Sequence, residues 1–240
     1  MYKYDLTFAA MFVMDSTIYL AQIHFMFLVM SVREHLSYIN RRLEYSVGRN
    51  YEVMVQVEHH AGIVNVARLV NEAYSVQVLT TVTSVFILVT TFTFILLQDF
   101  IHRGQNFEVV KVVAFSSWII FLAWRLYSCV YVCESTTSKA NETAHLVHGL
   151  MRYTKDALLL NELKQFSLQL LHSRIQFTAC GLFPLDYSLI HSIVAASTMY
   201  FIIQIQFQLS SKTSCVNTCD IDLEQCIILF NSTNSDDVIN

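Results

Sequence analysis

The sequence contains few helix breakers and little charge. Its 240 residues include one proline and five glycines, and only 14% are Asp, Glu, Lys or Arg. Scarce proline and glycine favour long, uninterrupted helices. So low a charged fraction excludes an ordinary soluble globular domain. Together with 54% hydrophobic residues and a mean hydropathy of +0.44, the composition indicates a polytopic membrane protein.

Motifs of enzymes, metal sites and nucleic-acid binding are missing as well. The sequence has no GxSxG, HExxH or Walker A motif, and five glycines could hardly supply a phosphate-binding loop. No basic run or Arg-aromatic patch indicates a nucleic-acid partner. His59 with His60, and His145 with His148, have spacings seen at metal sites, but they lie in amphipathic segments where solvated or interhelical histidines are favoured. We therefore expect no catalytic activity, no cofactor and no metal.

Four hydrophobic segments are long enough to cross a bilayer core roughly 30 Å thick. They occupy about residues 6–30, 76–98, 109–132 and 184–209. The segments at 31–73 and 133–180 are polar, but they show the apolar spacing of amphipathic helices. This spacing is carried by Leu36, Ile39, Leu43 and Val47, and by Leu158, Leu159, Leu163, Phe166, Leu170 and Leu171. The sequence predicts an all-α membrane bundle with helical extensions over residues 1–209, followed by a tail at 210–240.

Polar residues interrupt three of the spans. The first contains Asp15, Gln22 and His24, so we expect it to pack against other helices more than against lipid. Arg125 in the third span either extends to the headgroups or pairs with an acid such as Asp15, and the first interpretation is favoured. The second span is rich in threonine. We expect these hydroxyls to bond to carbonyls one turn earlier in the helix, with a polar cavity lining as the alternative.

The distribution of Lys and Arg predicts how the chain is oriented in the membrane. Ten of these residues lie in the segments 31–73 and 133–180, whereas the opposite side has only Lys3, Arg103 and Lys212. The positive-inside rule makes the side with ten basic residues cytoplasmic. Both termini are then expected to be extracellular.

An extracellular tail has consequences for its cysteines and its sequon. In an oxidising compartment, Cys215, Cys219 and Cys226 can form one disulfide and leave one thiol over. Asn231 begins an N-glycosylation sequon on the glycan-accessible side, so we expect it to be glycosylated. The sequon at Asn141 would lie in the cytoplasm and stay unmodified.

The last span carries three glutamines, which are costly where they face lipid without a partner. On a helical projection, one stripe consists of Tyr200, Gln204, Phe207 and Gln208, and the adjacent stripe of Met199, Ile203 and Gln206. Several copies of this helix around an axis could line a water path, with amide oxygens facing cations and an apolar constriction. Alternatively, the amides bridge to neighbouring helices within one bundle. Spacing alone leaves both interpretations open.

Residues 166–207 resemble the C-terminal signature of the insect gustatory receptor family, part of the insect chemoreceptor superfamily. The family's aromatic-rich last helix closes with Thr-Tyr, five apolar positions and Gln-Phe. Here Tyr200 is followed by five residues and then by Gln206 and Phe207, while Met199 takes the place of the usual threonine. Upstream, the pattern of Gly181, Phe183, Leu185 and Asp186 also fits.

The resemblance implies that the four spans correspond to the last four of seven helices, with an extracellular C-terminus. Three further helices would precede them, so the chain is expected to be partial. A family member would be a multi-pass, ligand-gated cation channel of the plasma membrane, in contact with membrane lipid. It would assemble as a homo- or hetero-tetramer around the last helix and respond to a small-molecule tastant.

The resemblance also implies where the sites of such a channel would lie. The gate would be at Gln206 and Phe207, with Ile203 and Tyr200 on the same helix. Ligand would bind in the extracellular half of the bundle, where side chains of suitable depth and chemistry are Phe86, Thr90, Trp118 and Phe121, with core packing as the alternative for each. Two other functions stay open: a G-protein-signalling receptor or transporter-like bundle, and a truncated receptor without function of its own.

Overall fold

The computed structural model of the chain describes residues 2–46, 50–103, 109–208 and 210. The predictions made for the tail, namely glycosylation of Asn231 and a disulfide among Cys215, Cys219 and Cys226, lie outside the described residues, as does Val47.

Five helices make up almost all of the described chain. They are α1 (Tyr2–Tyr45), α2 (Asn50–Arg103), α3 (Val109–Tyr153), α4 (Ala157–His172) and α5 (Tyr187–Gln208). Helices α1, α2, α3 and α5 are long and apolar enough to cross a membrane. At 1.5 Å per residue the 54 residues of α2 extend about 80 Å, more than twice the thickness of a bilayer core. The predicted all-α bundle of four membrane helices with helical extensions is confirmed.

The helical extensions have an apolar core of their own. Ile39 and Leu43 of α1 are 2% and 0% exposed, and they pack in one cluster with Val53 of α2 and Val147 of α3. Helix α4 covers this cluster with Leu159, Leu163 and Phe166, while its Leu158 and Leu171 stay exposed. The amphipathic spacing therefore identified the buried face of α1 and the central residues of that of α4, but it was wrong for Leu158 and Leu171. A second, larger cluster joins α1, α2 and α3 and includes Phe25, Val85 and Leu122.

A short β-hairpin connects α4 to α5, and the sequence did not predict it. Strand β1 (Thr178–Ala179) pairs antiparallel with β2 (Phe183–Pro184). The turn needs two left-handed residues, Cys180 with φ 51° and Gly181 with φ 71°. Pro184 lies in β2 and not in the first turn of the last helix, because α5 begins only at Tyr187.

Polar contacts hold both ends of this connection. The backbone N–H of Thr178 donates to Asn71 Oδ1 on α2 at 2.8 Å, which fixes the hairpin to the bundle. Phe177 and Ala179 are 2% and 0% exposed in the same core as Phe25. At the other end, Asp186 caps α5 by accepting from Leu189 N–H at 3.2 Å. The start of α5 is therefore anchored to α2 through a hairpin whose first strand is packed into the core and whose tip is exposed.

The threonines of α2 mostly behave as the sequence predicted. The hydroxyls of Thr80, Thr83, Thr90 and Thr93 donate to backbone carbonyls four residues earlier at 2.7–2.9 Å. Such bonds satisfy the hydroxyl donor within the helix, so the side chain can face lipid without an unpaired donor. Thr81 differs, because it is 2% exposed and its hydroxyl has no hydrogen-bond partner in the described residues.

Candidate functional site

Helix α5 leaves most of its surface uncovered. Only 6% of its most apolar 18-residue stretch is buried, against 17–22% in the other three membrane-length helices. Its exposed side chains include Tyr200 (51%), Ile203 (53%), Phe207 (74%) and Gln206. These are the four residues that the sequence analysis placed at a pore or gate. One chain alone therefore covers these side chains only in part.

The packed side of α5 carries the other two glutamines. Gln204 and Gln208 are half-buried, as are Ile190 and Ile193 nearer the start of the helix. Tyr200 lies at the border, with its ring 5.6 Å from the ring of Phe86 on α2 in an edge-to-face arrangement. The amides thus divide between the two sides of α5, with Gln206 outward and the other two toward the bundle.

An aromatic group lies between α1, α2 and α3. The ring of Phe121 is 5.4 Å from Tyr19 and 5.9 Å from Trp118, and Trp118 is 6.5 Å from Phe92. Of the four residues expected to face a ligand, only Trp118 and Phe121 belong to this group. Phe86 packs on Tyr200, and the Thr90 hydroxyl bonds to carbonyls of its own helix. The four residues therefore do not form one cluster.

Arg125 does not extend to the headgroups, which corrects the interpretation favoured by the sequence. It is 1% exposed, and its Nη1 donates to Asp15 Oδ1 on α1 at 2.8 Å. Its Nε donates to Gln22 Oε1 at 2.5 Å, and Gln22 Nε2 donates back to the Arg125 carbonyl at 3.0 Å. A buried guanidinium is tolerated in such a helix only when it is paired and hydrogen-bonded, and both conditions are met.

This polar cluster continues the aromatic group. The Arg125 guanidinium carbon lies 5.6 Å from the centre of the Tyr19 ring, and Tyr19 in turn contacts Phe121. Sequence reasoning missed Tyr19 and Gln22 as members of the site. The signal that could have found them is their spacing from Asp15 by four and seven residues, which places all three on one face of α1.

The histidines fall into two environments. His60 is 3% exposed and lies edge-on to Phe166 of α4, with ring centres 5.3 Å apart. Burial lowers the pKa of His60 from 6.5 to about 4, because the charged form loses its hydration. His59, His145 and His148 are exposed. Among the residues that the structure describes, no three His, Cys, Asp or Glu side chains are placed to hold a metal ion.

Four membrane-length helices, three of which run on far beyond the bilayer thickness, define a multi-pass helical membrane protein. The same fold occurs in the solved structure of the insect olfactory receptor OR5 from Machilis hrabei in complex with eugenol. The two match with a TM-score of 0.66 over 78% of this chain and 48% of that one, at 16% sequence identity.

The family follows from sequence comparison. The family model described as "7tm Chemosensory receptor" matches residues 4–211, so the chain belongs to that family. "Putative gustatory receptor 28b" of Drosophila melanogaster is 32% identical over 166 residues, which cover 68% of this chain and 35% of the relative. "Gustatory receptor for bitter taste 66a" of the same species is 25% identical over 188 residues, covering 73% and 32%. The resemblance to insect gustatory receptors is confirmed, and the chain spans about a third of these relatives' length.

Proposed function

We propose that this chain works in a taste receptor that is a ligand-gated cation channel, with α5 lining a pore shared by four subunits. The observation that carries this proposal is the exposure of Ile203, Gln206 and Phe207 on the least buried membrane-length helix. An outward amide flanked by large apolar side chains is poorly suited to lipid, because an unpaired amide in hydrocarbon is costly. The same side chains are well suited to a narrow water path.

The chemistry of these side chains fits cation conduction. Gln206 provides an amide oxygen that can replace part of a cation's hydration shell, and Phe207 and Ile203 can form a hydrophobic constriction. Their counterparts on other copies, or on related subunits, would complete the ring. Tyr200 borders this face and contacts Phe86, so it connects the proposed pore helix with α2.

The proposed tastant site is the aromatic group around Trp118 and Phe121, with the paired Arg125 at one side. Aromatic faces bind small apolar or ring-bearing molecules, and a few polar groups set their orientation. Phe86 and Thr90 were expected in the same ligand site, but they make other contacts: Phe86 packs on Tyr200 of α5, and the Thr90 hydroxyl bonds to carbonyls of α2. We therefore assign Phe86 a role in transmission to the pore helix.

In the proposed orientation the chain spans the plasma membrane. The helical extensions and α4 lie in the cytoplasm, and the C-terminus lies outside the cell. The support is the positive-inside rule, since the described extensions carry most of the basic residues. A tag placed after Asn240 tests it, because antibody must then reach the tag on intact cells. A tag reached only after permeabilisation would contradict both the channel topology and the proposal.

Ligand-evoked current tests the pore itself. Currents of the Gln206→Ala variant should be compared with those of the Gln204→Ala variant, since the Gln204 side chain is half-buried on the packed side. We expect Gln206→Ala to change ion selectivity or conductance, because the amide faces the ions. Gln204→Ala should leave selectivity unchanged. Identical selectivity and gating across substitutions at Gln206 and Phe207 would remove the pore assignment.

A further inference from the structure

A cavity of about 530 Å³ lies between α2, α3 and α4, away from the proposed pore and tastant site. Its polar lining comes from three directions, with His60 on α2, Asn141, His145 and His148 on α3, and Ser167 and Arg174 at α4 and just beyond it. No Asp or Glu lines it. The volume falls within the range of about 300–1,000 Å³ that is typical of small-molecule sites.

The groups in this cavity are available for a ligand. Arg174 is exposed and makes no hydrogen bond or ion pair with any other described residue. His145 and His148 likewise have no such partner within the described part of the chain. Glu134 and Asp186 share a neighbouring crevice with Arg174, but neither forms an ion pair with it. The cavity therefore offers one permanent cation whose charge is not neutralised locally.

His60 provides a second, independent sign of a ligand. It is 3% exposed, it lines the cavity, and its Nε2 has no hydrogen-bond partner among the described residues. A buried polar atom without a partner is destabilising by about 1–3 kcal/mol. A bound molecule with hydrogen-bonding oxygens would satisfy this nitrogen. A purely structural histidine at this position would be expected to have its own partner.

We propose that this cavity binds a phosphate-bearing anion. Arg174 supplies the charge, and His60, His145 and Asn141 supply hydrogen bonds from the opposite walls. Arginine is suited to this task because its guanidinium offers parallel N–H donors to a phosphate group. Two sources share this chemistry, namely the phosphorylated headgroup of a membrane lipid and a soluble phosphorylated metabolite.

Binding to the purified full chain tests the proposal and distinguishes the two sources. The soluble probe is fluorescent inositol trisphosphate, added to the purified chain in detergent. The lipid probe is phosphatidylinositol bisphosphate in nanodiscs of phosphatidylcholine, with nanodiscs of phosphatidylcholine alone as the blank. Binding of the soluble probe supports a metabolite site, and binding of the lipid probe alone supports a headgroup site. No saturable binding of either probe would overturn the proposal.

A matched pair of arginine variants locates the site. Arg174→Gln should weaken binding about tenfold or more, because a hydrogen bond to a charged group is lost. Arg152→Gln, an exposed arginine of α3 that does not line the cavity, should change it by no more than about twofold. Equal losses in the two variants would show general charge attraction and would overturn the proposal.

Folding of the variants is checked by circular dichroism, since the chain is mostly helical. If Arg174→Gln loses helicity, His145→Gln and His148→Gln replace it, because both side chains are exposed. At least one of them must then weaken binding by about threefold. Unchanged binding in both variants would contradict the site. These measurements need no channel current, so their outcome is independent of the proposed pore.

Discussion

Arg125 Nη1 and Asp15 Oδ1 form a 2.8 Å ion pair between α3 and α1, with the guanidinium fully buried and the carboxylate 20% exposed. The two residues are 110 positions apart in the chain. Gln22 completes the cluster and so ties the ion pair to both helices. Because one Arg125 nitrogen, Nη2, has no partner among the described residues, the cluster retains an unused donor beside the aromatic group.

Removing one member of this pair should be more damaging than removing both. Arg125→Met leaves the buried Gln22 and the partly buried Asp15 without their partner, and we expect a loss of about 3–5 kcal/mol in the free energy of unfolding. The double variant Arg125→Met with Asp15→Leu should recover much of that loss. Unfolding in detergent, followed by circular dichroism, measures the stability of Arg125→Met, of Asp15→Leu and of the double variant. If the loss in the double variant equals the sum of the losses in the two single variants, the ion pair is not the cause.

His60 should make the chain less stable in mild acid. Its pKa in the folded chain is about 4, below the value of 6.5 expected when unfolded. The unfolded chain therefore binds more protons between these values, and stability falls as the pH drops from about 6.5 to 4. The shift corresponds to about 3 kcal/mol. Unfolding temperatures measured across this pH range should fall less for His60→Gln than for the native chain.

His59 provides the control for that measurement. It is the neighbouring residue on α2 and is exposed. His59→Gln should keep the native dependence of stability on pH. If His60→Gln and His59→Gln respond alike to acid, burial of His60 does not produce the effect.

Asn71 should control the rigidity of the hairpin before α5. Its carboxamide accepts from Thr178 N–H at 2.8 Å, and Asn71→Ala leaves that N–H without a partner. We expect a loss of about 1–2 kcal/mol in stability. Amide hydrogen exchange should become faster in the peptide covering residues 177–185. Asn65→Ala, an exposed position on the same helix, should leave exchange in this peptide unchanged.

Thiol labelling should separate the described cysteines and report orientation. Cys180 is exposed at the tip of the hairpin, whereas Cys129 and Cys133 are buried. A membrane-impermeant maleimide should label Cys180 only after cells are permeabilised, because the proposed orientation places the hairpin on the cytoplasmic side. Mass spectrometry of the labelled peptides gives the result. Labelling of Cys180 on intact cells would contradict that orientation, and labelling of Cys129 would contradict the packing of α3.

Much of the architecture could be predicted because it depends on composition and local periodicity. A bilayer requires long apolar helices, so hydropathy alone located four of them. The spacing of Leu36, Ile39 and Leu43 identified the buried face of α1, since a helix has a fixed period. The signature around Tyr200, Gln206 and Phe207 indicated the family before any geometry was known.

The partner of Arg125 could not be predicted in the same way. A charge near the end of a span can reach the headgroups or an acid on another helix, and both choices satisfy the same local sequence. The hairpin at Thr178–Pro184 was missed because its strands have two residues each, too few for a periodic signal. Depth and chemistry alone could not group the expected ligand residues, because the structure packs Phe86 against Tyr200 of α5 and Trp118 against Phe92 and Phe121.

The sequence by itself determined that this chain is a helical membrane protein of the chemosensory receptor family, because hydrophobicity, helix period and a short signature are properties of neighbouring residues. Only the tertiary structure decided which side of α5 stays uncovered, which acid neutralises Arg125, and which basic groups share a cavity at Arg174. Those outcomes depend on contacts between helices that are far apart in the chain, and no local pattern encodes such contacts.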